Sequence, residues 1–236
     1  MNKESGIASG RLGRPLALLL LALIALTWTG AAAAVSPSQE LVVLLGPHPA
    51  RWQPAVRSAT ISLVPARTPI TGERTVLPVL ARKGHWLRVR LPGRPNGHTG
   101  WISQAATGRS VTAWHLLVDR THRRVTVYRA GRPVRVFRAI VGKPSTPTPS
   151  GEYFVEESIA LRAADVGAPF ALALSARSDV LQEFGGGPGQ IALHGLGNIG
   201  GLLGSAVSHG CVRLDNDVMR WLVYRIGPGV PVSITG

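Results

Sequence analysis

The chain has 236 residues, 45% hydrophobic and only 16% charged, which excludes a chain too polar to collapse and leaves room for one large core or two smaller ones. Twenty-eight glycines and 18 prolines favour short strands and turns over long helices. The formal net charge of +14 draws the molecule towards polyanions, but the basic residues (Arg51, Arg57, Arg67, Arg74, Arg120, Arg135) are scattered instead of forming a stripe with interleaved aromatics, so no nucleic-acid module is expected.

Lys3, Arg11 and Arg14 precede an apolar run from Leu16 to Trp28, and Thr29-Gly30 and the four alanines Ala31 to Ala34 follow. A basic, an apolar and a small-residue region in that order make residues 1–34 a signal peptide, with cleavage near Ala33 or Ala34. The apolar core is short for a membrane span; carried on through the alanines it reaches spanning length, and the segment is then an uncleaved N-terminal membrane anchor. Either form places the protein outside the cytoplasm, in the cell envelope (periplasm or cell wall). The segment holds no cysteine for a lipid anchor. The remainder of the chain keeps +12 of the charge, so anionic cell-wall polymers or a membrane surface are candidate partners.

Residues 40–105 read as a small all-β unit. Strand-length runs occur at Glu40–Leu45, Ile61–Val64, Val76–Leu80 and His85–Leu91, and after the turn Pro92–Gly97 (P-G-R-P-N-G) a strand resumes at Gly100-Trp101-Ile102. The pattern W-L-R-V-R … T-G-W-I resembles bacterial SH3-type domains, which implies a small SH3-like barrel; Trp86 and Trp101 then serve as core or rim residues. Residues 106–112 read as a linker. A second β series follows, with strands at His115–Asp119, Arg124–Tyr128 and Val134–Val141, turns at Arg120–Arg123 and Ala130-Gly131, and a proline-rich loop at Lys143–Gly151 that cannot be a central strand. Glu152–Glu156, Phe170–Leu174, Gln190–Leu193 and Val230–Ile234 are further strands, and residues 158–169 are expected to be a loop or short helix. Asp215 is the predicted N-cap of a helix through about Arg225, with Val218, Leu222 and Ile226 on one face and Gly227-Pro228 stopping it. The predicted fold class is mostly β with minor α.

The chemistry concentrates between His194 and Arg213, a stretch holding the only cysteine, Cys211, with two histidines and six glycines. An unpaired cysteine in an exported chain is buried and inert, joined to another molecule, or reactive. As a nucleophile Cys211 needs a base to take its proton, because a free thiol with a pKa near 8.5 is mostly protonated at neutral pH. His209, two residues away, and His194, at the end of a predicted strand, are both candidates. The N–H groups of His209, Gly210 and Cys211 can serve as oxyanion donors, and Arg213 can pair with a carboxylate through its planar fork. Spacing alone leaves open a catalytic thiol, a structural thiol and a zinc site of His194, His209 and Cys211, the last without a fourth ligand nearby.

I-A-L-H-G … S-H-G-C-V-R-L resembles the active-site signature of the L,D-transpeptidase catalytic domain family. His194-Gly195 is separated by about a dozen residues from Ser208-His209-Gly210-Cys211-Val212-Arg213, and Thr148–Tyr153 and Gly229–Ile234 are also similar to the family. The resemblance covers residues 113–236 and implies a β-rich mixed domain that cross-links peptidoglycan stem peptides with no cofactor or metal. It further implies Cys211 as nucleophile, His194 as proton donor and acceptor, the Gly195 carbonyl orienting that imidazole, and His209 in a supporting place. Gly210 would be a backbone oxyanion donor, Ser208 would buttress the loop by hydrogen bonding and sit at the substrate, and Arg213 would hold the donor carboxylate. The alternatives are an L,D-carboxypeptidase or other peptidoglycan hydrolase using the same Cys-His site, and a non-catalytic wall-binding protein. A sortase-like enzyme would have threonine where Gly210 precedes Cys211, and papain-like peptidases place cysteine before histidine.

Overall fold

Alternation of inward apolar and outward polar residues builds most of the molecule, seen in a computed structural model that describes residues 35–184 and 186–236. The expected signal or anchor segment, 1–34, lies outside the described residues. No helix among the described residues is long and apolar enough to cross a membrane.

Seven antiparallel strands form the first sheet: β1 (Gln39–Leu44), β2 (His48–Arg51), β3 (Thr60–Val64), β4 (Val76–Lys83), β5 (Trp86–Arg90), β6 (Thr99–Ser103) and β7 (Thr107–Thr112), in the order β3-β2-β6-β5-β4-β1-β7. In β5 the buried Leu87 and Val89 alternate with Trp86, Arg88 and Arg90. Residues 107–112, expected as part of a linker, are instead a strand paired along its whole length with β1, from Gln39↔Thr112 to Leu44↔Thr107. Their backbone groups find ladder partners on the exposed edge of β1, which an open linker would leave to water.

The second sheet contains β8 (Trp114–Asp119), β9 (Arg124–Arg129), β10 (Arg132–Arg138), β12 (Gly151–Ala160), β13 (Phe170–Arg177), β14 (Gln190–His194), β16 (Val212–Arg213) and β17 (Pro231–Thr235), in the order β10-β9-β8-β17-β12-β13-β14-β16. Two short strands, β11 (Val141–Gly142) and β15 (Ala206–Ser208), pair in parallel beside it. The run expected as one strand, Val134–Val141, is thus broken after Arg138. Residues 158–160, expected in a loop, extend β12. β9 and β10 are joined by Ala130-Gly131, both at positive φ (49° and 74°), as the two-residue hairpin requires. The helix α1 (Asn216–Val223) starts at Asp215, whose side chain accepts from the Asp217 N–H at 2.8 Å, and its buried residues are Met219 and Leu222.

β12 serves two cores. Tyr153 and Val155 pack among Leu116, Val118, Leu172, Leu193, Leu222 and Val232, while Phe154 packs with Leu44, Leu77, Leu87 and Ile102 of the first sheet. Period-2 alternation sends neighbouring side chains to opposite faces, so one strand completes both clusters. The junction also holds a fully buried carboxylate, Glu157, which accepts from the N–H groups of Ile70 (3.2 Å) and Thr71 (2.7 Å) and from Thr71 Oγ1 (3.0 Å). These donors offset the desolvation of the charge.

Candidate active site

Parallel pairing of β14 with β16 brings the two ends of the sequence motif together. Leu193 faces Val212 and His194 faces Arg213 across the ladder, and the Leu214 N–H donates to the His194 carbonyl at 2.9 Å. His194, His209, Cys211 and Arg213 consequently line one cavity of about 200 Å³, to which Ser178, Leu181, Phe184, Gly189 and Gln190 also contribute. Among the described residues no three His, Cys, Asp or Glu side chains are grouped so that they could hold a metal ion.

The imidazole of His194 is held by its own neighbour: Nδ1 lies 2.8 Å from the Gly195 carbonyl oxygen. A carbonyl only accepts, so Nδ1 carries the proton and Nε2 keeps its lone pair. Burial lowers the pKa of this histidine; the Gly195 carbonyl opposes it in part, and the nearby Arg213 charge, the smallest effect, lowers it further. Gly167 makes the imidazole's position possible. It has φ +87°, and a Cβ there would stand 2.6 Å from His194 Nδ1. Gly167, in the segment that the sequence left without pattern, thus packs directly against the histidine ring. The Gly167 carbonyl accepts from the Gly195 N–H at 2.8 Å.

Cys211 is half-buried, and burial pushes the thiol pKa up. The Ala192 N–H and the Arg213 charge act in the opposite direction. The loop carrying it is pinned from behind. Ser208 Oγ donates to the Cys211 carbonyl at 2.6 Å and accepts from the Gly210 N–H at 3.1 Å. Thr148 Oγ1 donates to the Gly210 carbonyl at 2.8 Å while accepting from the Gly142 N–H at 2.9 Å, and Thr146 Oγ1 donates to the Ser208 carbonyl at 3.2 Å. Gly210 itself has φ +122°, which suits glycine at this bend.

Two expectations are corrected by these contacts. The Gly210 N–H, expected as an oxyanion donor, is engaged by Ser208 Oγ; among the described residues the N–H groups of His209 and Cys211 have no protein acceptor and remain as donors. Ser208 braces the loop by hydrogen bonding as expected, but it is fully buried and its hydroxyl is engaged within the loop, so its expected place at the substrate is corrected. His209 stacks on Phe184, with ring centroids 5.4 Å apart and planes at 28°. Arg213 is 8% exposed, yet among the described residues its guanidinium makes no hydrogen bond or ion pair, and its Nε is buried without a partner. A buried cation lacking a counter-charge is costly unless a ligand supplies one.

Sequence reasoning missed Thr146, Gly167 and Phe184, and gave Thr148 no role of its own. Proline spacing in T-P-T-P-S-G marked that loop as irregular but not what its hydroxyls hold.

The family model described as the L,D-transpeptidase catalytic domain, YkuD, matches residues 113–234. The chain is 25% identical over 242 aligned residues to L,D-transpeptidase 1 of Mycobacterium tuberculosis, covering 87% of this chain and 90% of that protein. A Bacillus licheniformis protein named for the same family is 30% identical over 122 residues, 52% of this chain and 66% of its own length. A solved structure, L,D-transpeptidase 3 from Mycobacterium tuberculosis in complex with a faropenem-derived adduct, is similar at 15% identity with a TM-score of 0.45, covering 68% of this chain and 91% of that one. The family model spans just over half of the sequence and includes the whole thiol, imidazole and guanidinium cluster. The chain belongs to the L,D-transpeptidase catalytic domain family, an enzyme family that acts on peptidoglycan stem peptides in the cell envelope.

Proposed function

We propose that the protein forms peptidoglycan cross-links by acyl transfer through Cys211. The observation that carries this reading is one cavity lined by a thiol, an imidazole whose free nitrogen is fixed by a backbone carbonyl, and a buried guanidinium with no counter-ion. His194 Nε2 takes the Cys211 proton as sulfur attacks the carbonyl carbon of a donor stem tetrapeptide. The N–H groups of Cys211 and His209 hold the oxyanion, and Arg213 holds the donor's carboxylate. Collapse of the tetrahedral adduct breaks the amide bond. The leaving terminal D-alanine takes the proton from His194, and a thioester remains. The side-chain amine of a second stem then attacks the thioester carbonyl, gives a proton to His194, and releases the product as the sulfur is reprotonated.

A carbapenem, whose strained carbonyl imitates the donor, is expected to add once to the wild type and not at all to Cys211→Ser by intact-mass spectrometry. An unmodified wild type would overturn the reactive-thiol reading. Incubation with a disaccharide-tetrapeptide then distinguishes acceptors: a cross-linked dimer supports transpeptidation, and tripeptide without dimer assigns the site to an L,D-carboxypeptidase.

A further inference from the structure

The Pro92–Gly97 turn between β5 and β6 has no part in the proposed chemistry, yet it grips the catalytic sheet at a specific place. β12 pairs with β13 only as far as Val155↔Leu174, and its remaining residues, Gly151–Phe154, pair with β17. The last three residues of β13 therefore lose their strand neighbour on that side, and the turn takes the free edge. The Gly93 N–H donates to the Ser175 carbonyl at 3.1 Å. The Asn96 side chain donates to the Arg177 carbonyl at 2.7 Å and accepts from the Arg177 N–H at 2.8 Å, as a neighbouring strand would.

Arg94 continues the grip into the loop that leaves β13. Its Nη1 donates to the Pro188 carbonyl at 2.9 Å, and its Nη2 to the carbonyls of Ser178 (2.8 Å) and Leu181 (3.2 Å). The loop is closed at its base by the Ser178 N–H donating to the Gly189 carbonyl at 2.7 Å, so Arg94 ties both ends of one closed segment. Ser178, Leu181, Phe184 and Gly189 of that segment line the Cys211 cavity, and Phe184 stacks on His209.

We propose that Arg94 and Asn96 are positioning residues for the acyl donor: the N-terminal sheet sets the loop that walls the cavity and is thereby part of the donor site. The proposal rests on the acyl-transfer reading above. Gly186 and Gly189 of the loop stand at positive φ (80° and 63°), backbone that glycine leaves free to move, so the loop's conformation depends on what holds its base. Arg94 is exposed to solvent, which makes each of its hydrogen bonds modest, and the grip comes from their number and from Asn96.

The test compares the full-length wild type with Arg94→Ala, Asn96→Ala, the double variant, and Arg82→Ala, which removes an exposed ion pair with Glu40 elsewhere on the same sheet. The double variant is expected to show faster amide hydrogen exchange across residues 178–189. Its KM for disaccharide-tetrapeptide should rise roughly tenfold while kcat stays within about twofold, and Arg82→Ala should match the wild type. Wild-type exchange and KM in the double variant would overturn the proposal, as would an equal KM change in Arg82→Ala. If the double variant does not fold, Arg94→Lys, which keeps the charge but cannot span three carbonyls, decides it: a raised KM supports the brace and an unchanged one removes it. If the wild type consumes no tetrapeptide, the acyl-transfer reading fails, and the exchange comparison still decides whether the turn holds the loop.

Discussion

The two walls of the Cys211 cavity are held in opposite ways. On the nucleophile's side, His194 and Cys211–Arg213 lie on paired strands and a loop whose buried hydroxyls, Ser208, Thr146 and Thr148, satisfy its carbonyls from within the same sheet system. On the other side, the 178–189 loop is glycine-rich at its tip and tied down by an exposed arginine and an asparagine from the first sheet. One wall is held by buried side-chain bonds within its own sheet system, and the other by solvent-exposed bonds from the first sheet, which water can replace at lower cost.

The largest effect expected on the nucleophile's wall is that of the base. His194→Ala should slow Cys211 acylation by about 10²–10⁴-fold, measured by single-turnover mass spectrometry with a carbapenem. A loss of only a few-fold would mean that another group takes the proton, and the distinction between a chemical and a shaping wall would fail.

Thr148→Val breaks the same wall from behind. It leaves the buried Gly142 N–H and Gly210 carbonyl without their partner, which costs about 1–3 kcal/mol of stability. Urea unfolding should show this loss, and acylation should slow as the bend at Gly210 relaxes. Unchanged stability would mean that water replaces the hydroxyl and that the loop is not braced as its bonds suggest.

The core strands of the catalytic sheet could be read from alternation alone, because burial of Leu116, Val118, Val125 and Val127 is a local period-2 signal. The helix could also be read, since Asp215 caps it through the neighbouring Asp217 N–H. The motif residues Cys211, His194 and Arg213 were visible, and the structure brings all three to one cavity. What the sequence hid was pairing between distant segments. Thr148 and Gly210 are 62 positions apart, and Asn96 and Arg177 are 81 apart, so neither bond leaves a periodic trace. The Gly210 N–H was misread for a different reason: its partner Ser208 is only two residues away, but the bond depends on the Ser208 rotamer, which only the folded loop determines. The strand at 107–112 was taken for a linker because T-G-R-S-V-T alternates poorly; its partner β1 supplies the reason for its conformation.

A gentler probe of the nucleophile's wall is pH. His194 has its pKa lowered by burial, so in the folded protein it stays neutral, as a base must, below the ordinary value of about 6.5. Acylation should therefore fall on the acid side with a midpoint below that value. Stability changes in the same window: as pH drops through about 6.5 the unfolded chain binds a proton that the folded histidine does not, so stability declines until the lower folded pKa is reached. A midpoint at or above 6.5 would contradict a desolvated imidazole. Replacing Arg213 by glutamine should move the midpoint up slightly, since its charge is the smallest of the three effects on this histidine and burial, the largest, remains.

The smallest effect is expected where the walls meet. His209 shares the motif with Cys211, yet its ring stacks on Phe184 of the 178–189 loop. Such a pair contributes about 0.5–1.5 kcal/mol, and truncating one ring should cost acylation only a few-fold. His209→Ala and Phe184→Ala should give similar losses, and the double variant should lose no more than the larger single, because both remove the same contact. Additive losses, or a His209→Ala loss as large as that of His194→Ala, would place His209 in proton transfer. The stacked contact would then be incidental, and the division between a catalytic wall and a shaping one would have to be redrawn through this histidine.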